Sequence, residues 1–157
     1  MAARSPVRSA RAWARVAWVF RICAAASVFA AAGKGEVFLS EKLDGELWFL
    51  VLQGKEAFLA NSRGRVIHGK LPFLTEAQGI AKKTGDQPAI FAGELYATSA
   101  AGKDRPRAAD LAAALAGGKS QADHLYFAVF DIVELHTKDE DLTTYGAKLE
   151  KLTGMFG

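Results

Sequence analysis

Glu41-Lys42-Leu43-Asp44-Gly45-Glu46 stands between two apolar runs, and its reading decides how the sheet is built. Asp-Gly flanked by such runs is a strong hairpin signal, because glycine accepts the backbone angles that a tight turn demands. The local expectation is a strand over 37–43, a turn at Asp44-Gly45 and a return strand over 46–53. The hexamer also has a chemical reading. A lysine just before a tight turn presents a primary amine at the end of an ordered element, where it can act as a covalent nucleophile. Taken alone, the hexamer reads first as an ordinary hairpin with Lys42 a solvated strand-end lysine.

Outward from the hexamer the chain reads as strands with short turns. Leu47-Trp48-Phe49-Leu50-Val51-Leu52 is apolar at every position, the pattern of a strand buried on both faces in mid-sheet. Gly54-Lys55 makes the next turn and 58–62 forms another strand. Arg63-Gly64-Arg65 ends it and leaves Arg63 on a loop rim within reach of a phosphate. Thr75 and Gln78 form a capping-box pair, which predicts a helix opening at Thr75 and closing after Lys82 and Lys83 at Gly85. A strand follows over 88–96. Ala108, Leu111, Ala112 and Leu115 repeat on one helical face, stopped by Gly117-Gly118. A further strand spans 124–135, and Leu142, Tyr145, Leu149 and Leu152 mark a closing amphipathic helix. The result is an α+β domain on an antiparallel sheet, without repeats, low-complexity tracts or a linker.

Composition narrows the classes. With 157 residues, 50% of them hydrophobic, the chain can build one core. Cys23 is the lone cysteine, which excludes an intramolecular disulfide framework, and His68, His124 and His136 are too scattered for zinc-ligand spacing. No metal-ligating residue is assigned. The net charge is +3, yet the first 33 residues carry Arg4, Arg8, Arg11, Arg15 and Arg21 with no acid. What remains holds 15 basic against 17 acidic residues, a formal charge of −2, so bulk charge gives no argument for nucleic acid.

Residues 1–33 therefore read as a separate basic leader. The arginines fall at helical spacing while Trp13, Val16, Phe20 and Ala24 repeat on another face, as in a presequence. A secretory signal ending at Ala30-Ala31-Ala32 and a start codon assigned too far upstream are the alternatives. No uncharged apolar run approaches the roughly 20 residues that span a bilayer, so stable membrane insertion is not expected. The expected location is the cytoplasm or nucleoid, with an organelle or export as the destinations such a leader would encode.

Three further segments follow the hexamer in order: Asn61-Ser62-Arg63-Gly64, Phe91-Ala92-Gly93-Glu94-Leu95-Tyr96 and Phe127-Ala128-Val129-Phe130-Asp131-Ile132. Together the four resemble the ATP-dependent DNA ligase family. Its adenylation domain carries a Lys-x-Asp-Gly nucleophile motif, a Ser-Arg motif, a Gly-Glu-Leu motif and a Phe-Asp motif in that sequence, and the match runs over residues 36–135. The resemblance implies an antiparallel-sheet-based adenylation (nucleotidyltransferase) fold, incomplete at its C-terminal end, with 34–157 a partial adenylation domain. It also implies ATP and Mg2+ as cofactors, nicked DNA as partner with RNA as the alternative, a monomer, and nick sealing in DNA repair, recombination and replication.

The resemblance also distributes roles. Lys42 matches the nucleophile that attacks the α-phosphorus of ATP, releases pyrophosphate and retains AMP. Amine attack requires a neutral lysine, whereas free lysine is almost wholly protonated at pH 7, so the site must disfavour the charged form. Asp44 sets the turn with Gly45, and its carboxylate can help organise the lysine or a metal. Glu94 matches the glutamate associated with the ribose hydroxyls; within an apolar strand its carboxylate is costly unless it has a partner. Phe130 corresponds to the aromatic that stacks on adenine, its competing reading being a core aromatic. Arg63 matches the arginine linked to phosphate, where a guanidinium grips two oxygens at once.

The departures are equally specific. DNA ligases of this family carry an arginine five residues after the nucleophile, where this chain has Leu47. The later Glu-Gly and Lys-x-Lys motifs and the oligonucleotide-binding domain have no counterpart before Gly157. The expectation is a truncated adenylation domain that is inactive alone. An RNA ligase-like nucleotidyltransferase and a catalytically dead ATP-binding remnant are the alternatives.

Overall fold

A computed structural model of the chain describes residues 38, 40–82, 84, 87–98, 107–116, 119–136 and 141–157. The leader, Cys23, the Gly85 helix stop and the Gly117-Gly118 stop lie outside the described residues. The strands are β1 (Glu46–Gln53), β2 (Glu56–Ala60), β3 (Val66–Ile67), β4 (Ala89–Ala97) and β5 (Leu125–Glu134). The helices are α1 (Pro72–Ala81), α2 (Ala108–Ala116) and α3 (Tyr145–Phe156), and a 3₁₀ segment spans Lys119–His124.

The strands form one sheet of five in the order β3-β2-β1-β4-β5, with every neighbour antiparallel. β1 takes the centre because its apolar run covers both faces: Trp48, Phe49, Leu50, Val51 and Leu52 are all buried. On one face Trp48, Leu50, Leu59, Phe91 and Leu95 join Leu74 and Ala77 of α1, Leu111 and Ala114 of α2 and Leu152 of α3 in the main core. On the other, Phe49, Val51, Ile90 and Ala92 form a smaller cluster with Leu47, Phe58, Phe130 and Val133. The three helices thus feed one side of the sheet. Burying each large side chain contributes about 1.5–3 kcal/mol before entropy is counted.

Three local expectations are corrected. No strand precedes β1 among the described residues: 40–44 lack regular structure, and the predicted 37–43/46–53 hairpin does not form. The reason is that β2 occupies one edge of β1 and β4 the other, so no edge remains for an earlier strand. Gly45 is also no left-handed turn residue, since the positive-φ glycines are Gly54, Gly64 and Gly69. The helix predicted to start at Thr75 starts at Pro72, with Leu71 as an N-cap that makes no side-chain cap bond. Proline is pre-shaped for the first helical position and has no N–H to leave unsatisfied, so it outweighs the capping-box signal. Thr75 instead turns its hydroxyl back to Leu71 O at 3.1 Å. In α2 the buried face is Leu111 and Ala114, while Ala112 is exposed.

β5 departs from regularity twice, with register shifts opposite Ile90/Phe91 and Ala92/Gly93. Phe130 is skipped by the pairing as Ala92 meets Asp131 and Gly93 meets Val129. Beside this irregularity the buried Asp131 accepts from Lys148 Nζ of α3 at 2.8 Å and from Ile132 N at 2.8 Å. Tyr145 of α3 donates its hydroxyl to Phe130 O at 3.2 Å. The ion pair therefore fastens α3 to the irregular strand. Asp131→Ala is expected to cost about 1.5–3 kcal/mol, the range for a hydrogen bond to a charged group whose partner is left partly buried. A lower midpoint in urea unfolding checks it.

Candidate functional site

Antiparallel pairing brings the start of β1, the ends of β2 and β4 and the start of β5 to one end of the sheet. The Lys42 segment, the Arg63 turn and Glu94 all belong to that end. In register, Leu47 faces Glu94 across β1–β4, and Glu94 faces Ala128 across β4–β5. Strand alternation puts Glu94 on the same face as Ile90 and Ala92, the face to which Phe130 also packs.

The segment carrying Lys42 lies against β4 rather than beside β1. Gly45 N–H donates to Glu94 Oε1 at 2.9 Å, joining residues 49 positions apart. The approach is so close that a Cβ on Gly45 would stand 2.1 Å from Leu95 O and 3.1 Å from Glu94 Cγ. Gly45 is required here for want of a side chain, not for an unusual φ. Lys42 and Asp44 are exposed on either side of Leu43.

Glu94 is half-buried, and its carboxyl is pushed above the ordinary glutamate value of 4.5, chiefly by burial. The Gly45 N–H and then the Lys42 charge oppose that shift, while Asp44 and Glu46 add to it. Lys42, Asp44, Gly45 and Glu94 thus form one electrostatic group. A raised carboxyl binds its proton more tightly in the folded chain than in the unfolded chain, so stability falls as pH rises above 4.5 and levels off past the raised value. Glu94→Gln, which keeps an acceptor for Gly45 but cannot ionise, is expected to gain in melting temperature relative to the parent across that interval. Paired thermal scans from pH 4 upward check the sign.

Arg63 sits exposed on the β2–β3 turn, which a residue missed in the sequence holds in shape. Buried Asn61 accepts from Arg63 N at 3.1 Å and from Arg65 N at 2.9 Å through Oδ1, and Gly64 turns with φ 84°. Arg65 was also missed. Its guanidinium lies 5.5 Å from the Trp48 ring centroid, and Nη1 is 4.0 Å from Glu46 Oε2. Trp48 belongs to the helix-bearing face, so Arg65 closes that side and not the Glu94 side. Gly64 signals this turn in the sequence, but the roles of Asn61 and Arg65 leave only the weak trace of an Asn followed at four residues by a second arginine.

A cleft of about 550 Å3 opens between α1 and α3, lined among others by Phe73, Ile80, Phe127, Leu149 and Met155. It lies on the helix-bearing face, away from Glu94, and Glu76 is the one ionisable side chain among its described walls. Cleft size and polar chemistry thus point to different places. Among the described residues no three of His, Cys, Asp and Glu converge as metal ligands, and no helix is long and apolar enough to cross a membrane.

The five-stranded antiparallel sheet, with helices feeding one face and a lysine-bearing segment bonded through Gly45 to Glu94 of β4, defines an α+β domain that shares its fold with a solved ligase. The particular likeness is to mycobacterial DNA ligase D, solved in complex with ATP and MES, at a TM-score of 0.51 and 19% identity. It covers 74% of this chain and 36% of that one, so this chain spans about a third of that protein's length. At this identity the likeness is one of fold. No family model and no curated protein matches the chain.

Proposed function

We propose that this chain is the nucleotide-binding part of an ATP-dependent polynucleotide ligase, DNA preferred, in which Lys42 becomes covalently adenylylated. The observation that carries the reading is the Gly45–Glu94 hydrogen bond, which joins the Lys-x-Asp-Gly and Gly-Glu-Leu segments at one sheet end. The fold likeness to an ATP-bound DNA ligase supports it independently.

In this reading the Lys42 Nζ lone pair forms a bond to the α-phosphorus as the bond to the bridging oxygen breaks. Pyrophosphate leaves with that electron pair, and the amine proton passes to solvent. Glu94 accepts from a ribose hydroxyl, Phe130 offers its ring to adenine, and Arg63, exposed on its turn, extends to phosphate. Asp44 orients the lysine. The described residues supply no converging ligand set for Mg2+. No step is assigned to the ion.

A second reading, an ATP-holding module that transfers nothing, draws on one observation. Leu47, the register partner of Glu94, stands where DNA ligases of the resembled family carry an arginine. The test is incubation of the chain, and of any longer protein containing it, with ATP labelled at the α-phosphate. Covalent label mapping to Lys42 supports the ligase reading, and ATP binding by calorimetry without label supports the module. Sealing of nicked DNA against nicked RNA separates the two polynucleotides.

A further inference from the structure

Glu94 does something in this fold that contact with a nucleotide does not require. Its carboxylate accepts the backbone N–H of Gly45, at the C-terminal limit of the Lys42 segment. Residues 40–44 have no regular structure, and β1 starts only at Glu46, so neither helix nor ladder bonds hold them. At the C-terminal limit of that segment, Gly45 N–H reaches Glu94 Oε1 at 2.9 Å, and the missing Cβ of Gly45 lets the backbone close on Leu95 O. The neighbour of Glu94 across β1–β4 is Leu47, which brings no hydrogen-bonding or charged group to the carboxylate.

We propose that Glu94 is a positioning residue whose carboxylate fixes the Lys42–Gly45 segment against β4 and so sets where the lysine amine is presented. The inference rests on the ligase-type reading only in taking Lys42 as the reacting residue; the tether exists without any nucleotide. A carboxylate has acceptor capacity left after one N–H bond, so the same group can hold the segment and meet a ligand hydroxyl together. Arrival of a hydroxyl at Glu94 then reports directly to the segment that bears Lys42. This is a coupling through one shared side chain rather than through a distant rearrangement.

Amide hydrogen exchange at Gly45, followed by NMR on the full chain in Glu94→Ala, Glu94→Gln and the parent, tests this. The expected result is exchange at least tenfold faster in Glu94→Ala, with Glu94→Gln nearer the parent because its amide oxygen still accepts. The β1 amides of Leu50 and Val51 should hold their parent rates. Limited trypsin digestion gives an independent reading. Cleavage after Lys42 should accelerate in Glu94→Ala while cleavage after Lys55, on the β1–β2 turn, does not. Equal Gly45 exchange in parent and Glu94→Ala, or equal acceleration at Lys42 and Lys55, would overturn the proposal. Absence of covalent AMP on Lys42 in a longer protein containing the chain, with Gly45 exchange still dependent on Glu94, would remove the ligase-type reading and leave the tether standing.

Discussion

In a longer protein that labels with AMP, Lys42→Ala is expected to abolish covalent labelling while leaving thermal stability within about 0.5 kcal/mol of the parent. The two halves of that expectation come from different properties of the residue. Lys42 is exposed and sits in a segment without regular structure, so removing its side chain uncovers little buried surface. Its amine is nevertheless the only atom in the proposed reaction that bonds to phosphorus, and alanine offers no substitute. Lys42→Arg should fail as well, because a guanidinium stays protonated at any working pH and cannot attack. Label that survives in either variant, read by mass spectrometry on the intact protein, would end the assignment of Lys42 as nucleophile.

Gly45→Ala is expected to damage both folding and chemistry. An added Cβ would lie 2.1 Å from Leu95 O and 2.9 Å from Leu95 C, and both are backbone atoms that cannot rotate away. The segment must lift off β4, breaking the Gly45–Glu94 bond. Overpacking of this kind costs about 1–3 kcal/mol. Displacing a reacting group by roughly an ångström can cost about 10²-fold in rate, so labelling should fall by that order even in protein that remains folded. Gly79→Ala is the matched control. It is exposed in α1 with nothing within 4 Å of the added atom, and should stabilise the chain by about 0.5–1 kcal/mol. Urea titration with single-turnover labelling of both variants separates the two costs.

The strands were readable because their physics is local. Six consecutive apolar residues from Leu47 to Leu52 leave little choice but a central strand, and the turns at Gly54 and Gly64 carry their own backbone signal. The hairpin at Asp44-Gly45 misled because its signal is also local, whereas the outcome turned on competition for the two edges of β1, which β2 and β4 win. The start of α1 was misplaced because two cap signals lay three residues apart and proline overrode the hydroxyl. At the candidate site, Lys42, Glu94, Arg63 and Phe130 could be picked out as residue types that are costly or purposeful where they stand. That Gly45 N–H would end on the Glu94 carboxylate could not be read, since the contact spans the fold. Asn61 and Arg65 escaped for the same reason: the value of each depends on a neighbour brought in by the turn.

β5 is an outermost strand ten residues long, and an edge of that length would ordinarily be a template for strand addition by another chain. Its two register breaks interrupt the regular spacing of backbone donors and acceptors that an incoming strand would need to match. The irregularity that sets Phe130 apart from the pairing therefore also guards the sheet against self-association. At the far side β3, only two residues long, offers too little edge to seed the same accident.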